Sequence, residues 1–318
     1  METPAAIELL GLTRRFGAAT AVDHLELVVP RGELFGLVGP DGAGKTTTLR
    51  MLAGILTPTE GDARVAGQSV RAAPEAVKSR IAYMSQRFGL YGDLTVLENL
   101  HFYADVFEVP RRARPARIAR LLGFANLAPF GDRLADRLSG GMKQKLGLAC
   151  ALIHAPEILL LDEPTNGVDP VSRRDFWQIL YQMLEEGVTI FMTTAYLDEA
   201  ERCSRVGLIH AGRLRAVDAP ARLKQRLGGD LVEVVVSDAW RARDVLGGED
   251  AARRVTLFGQ RIHVAVDDAG RDLPRLLAAL ASAGIEAGEP RRIAPSLEDV
   301  FIELAAGRPD EAGPAPAA

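Results

Sequence analysis

Residues 39–47 read Gly-Pro-Asp-Gly-Ala-Gly-Lys-Thr-Thr, and they constrain the fold more than any other stretch. They follow the apolar run Leu34-Phe35-Gly36-Leu37-Val38, which predicts a short buried strand. Residues 46–52 follow and predict the first turns of a helix stopped at Gly54. Strand, glycine loop and helix in that order form the phosphate-loop pattern G-x-x-x-x-G-K-[ST]. Gly39, Gly42 and Gly44 free the backbone so that successive N–H groups can point inward at a helix N-terminus, where the dipole favours anions. The whole stretch (Gly39, Pro40, Asp41, Gly42, Ala43, Gly44, Lys45, Thr46 and Thr47) is therefore expected to wrap nucleotide phosphates. Lys45 supplies a movable charge for the β- and γ-phosphates, and the Thr46 hydroxyl suits Mg2+.

The 318 residues have room for one large domain and a small one. No run of about eighteen apolar residues occurs, so no bilayer-spanning helix is expected. The start, Met-Glu-Thr-Pro, lacks a basic region followed by an apolar stretch, so no export signal is expected. Cys150 and Cys203 sit in apolar or helical contexts without metal-like spacing and read as buried thiols of a reducing compartment. A formal net charge of −4 gives no general attraction to nucleic acid. These features predict a soluble, cytoplasmic chain.

Along the chain, residues 7–10 and 25–29 read as strands, with Phe16 between them. Phe16 is open to two readings, an adenine-stacking ring above the phosphate loop or a core aromatic at a strand end. Residues 63–67 begin another strand. Residues 81–85 form a short apolar strand that delivers Gln86 to the carboxyl edge of a parallel sheet, where active groups gather. There its amide oxygen could serve Mg2+ or an attacking water. Residues 95–126 read as helical, broken at Pro110. Arg111, Arg112, Arg114, Arg117 and Arg120 form a basic run that reads first as a solvated helix face.

A second anion-binding helix start follows at Leu138-Ser139-Gly140-Gly141-Met142-Lys143-Gln144, with Ser139 as N-cap. Two grips for one γ-phosphate suggest that the second serves a nucleotide held by a partner. Then Ile158-Leu159-Leu160-Leu161-Asp162-Glu163 reads as a buried strand ending in two carboxylates. Asp162 suits Mg2+ through water, and Glu163 suits polarising an attacking water.

Phosphate loop, Gln86 loop, Leu138–Gln144 motif and Asp162–Glu163 strand occur in the order and spacing of the ATP-binding cassette ATPases, which residues 6–220 resemble. The resemblance implies an α/β fold: a phosphate-loop ATPase domain with a mixed sheet core, an antiparallel β subdomain and a helical subdomain. It implies ATP and Mg2+ as cofactors. Lys45, Gln86 and Glu163 become the catalytic set, and Thr46, Gln86 and Asp162 the metal set. Ser139, Gly140, Gly141 and Gln144 would close over ATP held by a second cassette, with Asp169 coupling the two sites and Phe16 matching the adenine-stacking aromatic. A second cassette, as a homodimer, and separate transmembrane permease subunits are the implied partners, with no nucleic acid. The chain would then sit peripherally on the inner face of the cell membrane. Phe88, Leu90, Tyr91, Leu94 and Glu98 fall where the family meets the membrane subunit.

Two positions depart from the pattern: Asp41, where Asn is commoner, mildly, and Ala195 more seriously. After the strand predicted at residues 188–192 the family usually has a His facing the γ-phosphate; here the chain reads Thr193-Thr194-Ala195-Tyr196. Ala195 can neither donate to a phosphate nor sense it. Hydrolysis by Glu163 alone, pairing with a complete cassette, and a binding switch with little turnover all stay open. Residues 166–170 and 194–201 resemble the ATPases of drug-resistance-type exporters. A soluble cassette protein working on ribosomes or nucleic acid is the alternative.

Beyond residue 220 a small α+β domain is expected. A strand at 231–236, a hairpin of 254–257 with 261–266, and a helix at 273–283 lead to a last helix capped by Ser296-Leu297-Glu298-Asp299. The expected divisions are a nucleotide-binding domain at 6–222, an accessory domain at 229–305 and a disordered tail at 306–318.

Overall fold

A computed structural model describes residues 5–86 and 89–306. Phe88 and the tail from residue 307 lie outside the described residues. The chain divides into two compact units, the first running through Pro220 and the second beginning at Ala221.

The first unit is built on a six-stranded mixed sheet. Its order is Arg213–Asp218, Arg205–His210, Leu34–Val38, Thr189–Thr194, Ile158–Asp162, Ile81–Met84. All neighbours are parallel except the first pair, which is antiparallel. Every residue of the three central strands is buried, because helices cover both faces of a parallel sheet. That is why these strands read as predominantly apolar runs. Phe35 and Phe191 meet across neighbouring strands with ring centroids 5.2 Å apart.

A four-stranded antiparallel sheet holds Ala19–Pro30, Ala5–Phe16, Glu60–Val65 and Gln68–Ser69. Its two long strands have 12 residues each, well beyond the 7–10 and 25–29 read from the sequence. The ladder shifts register between Leu9 and Leu12, around Gly11 at φ +62°, which breaks the alternation that a sequence reading follows. Helices Val96–Val106, Arg114–Phe124 and Gly140–Leu152 supply the helical part. Thr95 caps the first through a reciprocal pair of bonds with Glu98. Pro110 interrupts the helical stretch as expected, but the gap is wider, with a 3-10 turn at Arg111–Ala113. The basic run is not one solvated face: Arg114 bonds Asp105, Arg117 bonds the Ile153 carbonyl at 3.0 Å, and Arg120 pairs with Glu186.

The second unit is an antiparallel sheet in the order Arg254–Phe258, Arg261–Val266, Asp230–Val235, Arg291–Ile293. Helices Ala239–Leu246 and Ala269–Ser282 pack against it, and Val232, Val234, Ile262, Val264, Leu246, Leu276 and Leu280 share its core. The longer helix starts a turn earlier than residue 273 because Asp268 caps it, accepting from Arg271 N at 3.0 Å. Ser296 and Asp299 form the expected box before the last helix, Leu297–Ala306.

Candidate nucleotide site

Strand Leu34–Val38 runs straight into the glycine loop, and helix Lys45–Leu52 leaves it. The glycines are required for two different reasons. At Gly42 the backbone sits at φ +77° with open space around it. At Gly39 a Cβ would stand 2.2 Å from the Ile209 carbonyl, and at Gly44, φ +104°, 2.4 Å from the Ala21 carbonyl. Close backbone packing, as much as dihedral freedom, fixes the loop. Pro40 and Asp41 are exposed, Ala43 is buried, and Thr47 is half-buried on the helix.

Lys45 turns back over this loop. Its ammonium donates to the Gly39 carbonyl at 2.8 Å and the Pro40 carbonyl at 3.1 Å, and pairs with Glu163 Oε1 at 3.1 Å. Glu163 stands just past strand Ile158–Asp162, at φ +47°, a conformation few non-glycine residues adopt. Its backbone N–H bonds the Thr193 hydroxyl at 3.1 Å. Gln86 Nε2 donates to Glu163 Oε2 at 3.2 Å. Lys45, Gln86 and Glu163, predicted from motifs almost 120 residues apart in sequence, therefore meet around one carboxylate.

Beside it, Asp162 Oδ1 accepts from both the Thr46 hydroxyl at 2.9 Å and the Thr193 hydroxyl at 2.8 Å. The contact sets Thr46 and Asp162 side by side as hard oxygen donors, the ligand type Mg2+ takes. Among the described residues no cluster of three or more His, Cys, Asp or Glu suits a metal. A cation here would thus rely on substrate phosphate and water for its other ligands. Gln86, expected to join Thr46 and Asp162 through its amide oxygen, addresses Glu163 through its amide nitrogen.

Phe16 ends strand Ala5–Phe16, 49% exposed, with the Arg14 guanidinium 4.6 Å from its ring centroid. It is not a core aromatic.

The remaining predicted residues gather at a pair of helix starts. Ser139 Oγ accepts from Met142 N at 3.3 Å and caps Gly140–Leu152. Asp169 caps Pro170–Glu185, accepting from Val171 N at 3.1 Å and Ser172 N at 2.9 Å. Bonds from Ser172, then Val171, hold the Asp169 carboxyl below its usual range. A Cβ on Gly141 would strike Ser172 Oγ at 2.1 Å, so glycine lets the two helix starts touch. Gln144 is half-buried on the first of these helices.

Ala195 follows strand Thr189–Thr194 and is exposed. Sequence reasoning missed Thr193, which braces both Asp162 and Glu163, and Glu199, a buried carboxylate that takes the Thr165 hydroxyl on one oxygen and the Thr194 hydroxyl at 2.8 Å on the other. A threonine in a strand carries no sequence signal of its role.

The ABC transporter family profile matches residues 22–166, and a profile for the C-terminal domain of DrrA1-3-like ATP-binding proteins matches residues 219–305. The daunorubicin resistance ATP-binding protein DrrA2 of Streptomyces coeruleorubidus is 35% identical over 311 residues, 95% of this chain and 96% of the relative. Nod factor export ATP-binding protein I of Paraburkholderia xenovorans is 39% identical over 267 residues, 83% and 87% of the two chains. An Escherichia coli relative, named Probable multidrug ABC transporter ATP-binding protein YbhF, is 45% identical over 224 residues, 70% of this chain; the match spans only 39% of YbhF. Among solved structures, an ATP-binding subunit of an ABC transporter superposes with a TM-score of 0.64 at 28% identity, covering 70% of this chain and 92% of that one. A dimeric ATP-binding cassette bound to ADP and Pi superposes with a TM-score of 0.61 at 25% identity, covering 67% and 98%. The sheet, the glycine loop and the paired carboxylates agree with these likenesses, and this chain belongs to the ATP-binding cassette family of transporter ATP-binding proteins, with a DrrA-like domain at its C-terminal end.

Proposed function

We propose that the chain is the ATP-hydrolysing subunit of a membrane exporter of the drug-resistance type, converting ATP and water to ADP and phosphate. Lys45 reaching Glu163 beside Asp162 and Thr46 is the observation that carries this reading. Residues 39–47 bind the phosphates, Phe16 stacks on the adenine, and Lys45 neutralises the β- and γ-phosphates. Glu163 polarises the attacking water, and Gln86 orients that carboxylate. Thr46 and Asp162 would hold Mg2+, which supplies charge neutralisation on the phosphates when bound. Ser139, Gly140, Gly141, Gln144 and Asp169 serve ATP held by a second copy of the cassette.

Residues 6–222 form the nucleotide-binding domain in this reading, and 229–305 the accessory domain, followed by a tail. Separate permease subunits bring the chain to the inner face of the membrane, a reading supported by its kinship with transporter ATP-binding proteins. Tyr91, 45% exposed, and Leu94 belong to the permease contact, whereas Glu98 is occupied in capping its own helix. Ala195 favours a second reading, a nucleotide-binding switch with little turnover.

Steady-state ATP hydrolysis by the full chain, with Glu163→Gln and Ala195→His beside it, separates the two. Turnover that vanishes in Glu163→Gln supports the motor. A parent that binds ATP without turnover, and gains it in Ala195→His, supports the switch. Tyr91→Ala should weaken co-purification with a permease subunit while ATP binding is spared.

A further inference from the structure

Two short loops meet beside Glu163. One is Pro164-Thr165-Asn166, immediately after it; the other is Ala195-Tyr196, after strand Thr189–Thr194. Asn166 bridges them: its Nδ2 donates to Glu163 Oε2 at 3.5 Å, and its Oδ1 accepts from the Tyr196 hydroxyl at 3.2 Å. A primary amide has one donor end and one acceptor end. With the acceptor engaged by Tyr196, the NH2 group faces the carboxylate. Without that hydroxyl, a flip of the amide would set oxygen against oxygen.

Tyr196 is itself held in place. Its N–H bonds Thr194 Oγ1 at 2.9 Å, and the Arg173 guanidinium lies 5.1 Å from its ring centroid. Arg173 in turn lies 3.8 Å from Glu199 and 3.7 Å from Asp198. Glu199, 1% exposed, grips Thr165 on the first loop and Thr194, the strand residue from which the second loop leaves. The loops are thus tied at their roots by a buried carboxylate and joined at their tips by Asn166 and Tyr196. Glu163, in its left-handed conformation, depends on such neighbours to stay where it is.

We propose that Tyr196 is a positioning residue for Glu163, acting through Asn166, in a loop where Ala195 offers no polar group. This rests on the reading of Glu163 as the base. Tyr196 orients the Asn166 amide, and the amide, with Gln86 and Lys45, confines the carboxylate to one direction.

The test compares Tyr196→Phe, which removes one oxygen, with Asn166→Ala, the double variant and Glu163→Gln in the full chain. ATP turnover, ATP affinity, unfolding temperature and amide hydrogen exchange across residues 163–168 are read for each. Tyr196→Phe should lower turnover about tenfold, leave ATP affinity within about twofold, keep the parental unfolding temperature and speed exchange. The double variant should be no slower than Asn166→Ala, since the hydroxyl acts only through that amide. Parental turnover with parental exchange in Tyr196→Phe overturns the proposal, as do losses that multiply in the double variant. If turnover by the parent waits on a partner, the exchange of Tyr196→Phe alone decides: faster supports, unchanged overturns. Glu163→Gln turning over like the parent removes the base assignment itself, whereas an inactive Glu163→Gln beside a fully active Tyr196→Phe removes only the positioning role.

Discussion

Lys45 and Glu163 form a buried pair whose two halves are unequally supported, and the inequality is measurable. Their side chains are 4% and 9% exposed, 3.1 Å apart. Removing one partner of a buried ion pair typically costs about 3–5 kcal/mol, because the other charge stays behind uncompensated. In Lys45→Ala the stranded carboxylate keeps, among the described residues, Gln86 at 3.2 Å and Asn166 at 3.5 Å. These offset about 1 kcal/mol, and the Gly39 and Pro40 carbonyls lose their donor as well. A net loss of about 3 kcal/mol follows. In Glu163→Gln the ammonium keeps both carbonyls at 2.8 and 3.1 Å and the new amide oxygen can still accept from it, while the new NH2, facing the Gln86 and Asn166 donors, finds an acceptor once the Gln86 amide turns over. That loss should be about 1 kcal/mol or less. Lys45→Ala should therefore unfold about 4–8 °C below Glu163→Gln, taking about 2–4 °C per kcal/mol for a unit of this size. Thermal unfolding of both variants without added nucleotide is the assay. Equal midpoints, or Glu163→Gln the less stable, would refute the unequal-support argument.

Three further outcomes are expected. Gly44→Ala should abolish ATP binding in a calorimetric titration, since its Cβ would meet the Ala21 carbonyl at 2.4 Å; Gly42→Ala, with open space around it, should fold and retain weakened binding. Folded protein at about pH 8 should resist iodoacetamide at both cysteines: burial pushes the Cys150 thiol up, and burial with the negative Glu199 and Glu33 pushes Cys203 up to about 12, so labelling should need denaturant. His154 is pushed below its ordinary value by burial, against the opposing pull of the Ile81 carbonyl. The unfolded chain then takes a proton below about pH 6.5 that the folded one refuses, so stability should fall as pH drops through that point. His154→Gln should flatten the fall in urea midpoint between about pH 7.5 and about pH 5.5; an unchanged slope would acquit His154.

The site was legible where chemistry needs a fixed residue at a fixed spacing. Gly39, Gly44, Lys45, Ser139, Asp162 and Glu163 declare themselves because backbone clearance, phosphate charge and helix starts admit few alternatives. The central strands were legible because burial on both faces leaves them mostly apolar, with Asp162 and the threonines of Thr189–Thr194 as the polar exceptions. The hairpin of Arg205–His210 and Arg213–Asp218 was not, because its turn uses Ala211 at φ +49° before Gly212 at φ +79°, where the usual signal is Asn or Asp before Gly. Strand Arg291–Ile293 was missed for a related reason: three residues, two of them arginines, at a sheet edge leave no apolar pattern. Tyr196, Asn166 and Glu199 escaped because their roles depend on two loops about 30 residues apart coming together. Nothing local encodes that meeting.

The strand that feeds the glycine loop has a consequence for how the chain is made. Leu34–Val38 pairs on one side with Thr189–Thr194 and on the other with Arg205–His210. The loop leans on the same distant segment: Gly212 N bonds the Ala43 carbonyl at 3.1 Å, and the Gly212 carbonyl accepts from Asp23 N at 2.8 Å. The first motif to leave the ribosome is thus among the last to be completed. At about 5–20 residues per second, an apolar strand waits on the order of ten seconds or more for its neighbours. A chain cut short before residue 205 would carry every nucleotide-site motif discussed above and still lack the wall that shapes the first of them.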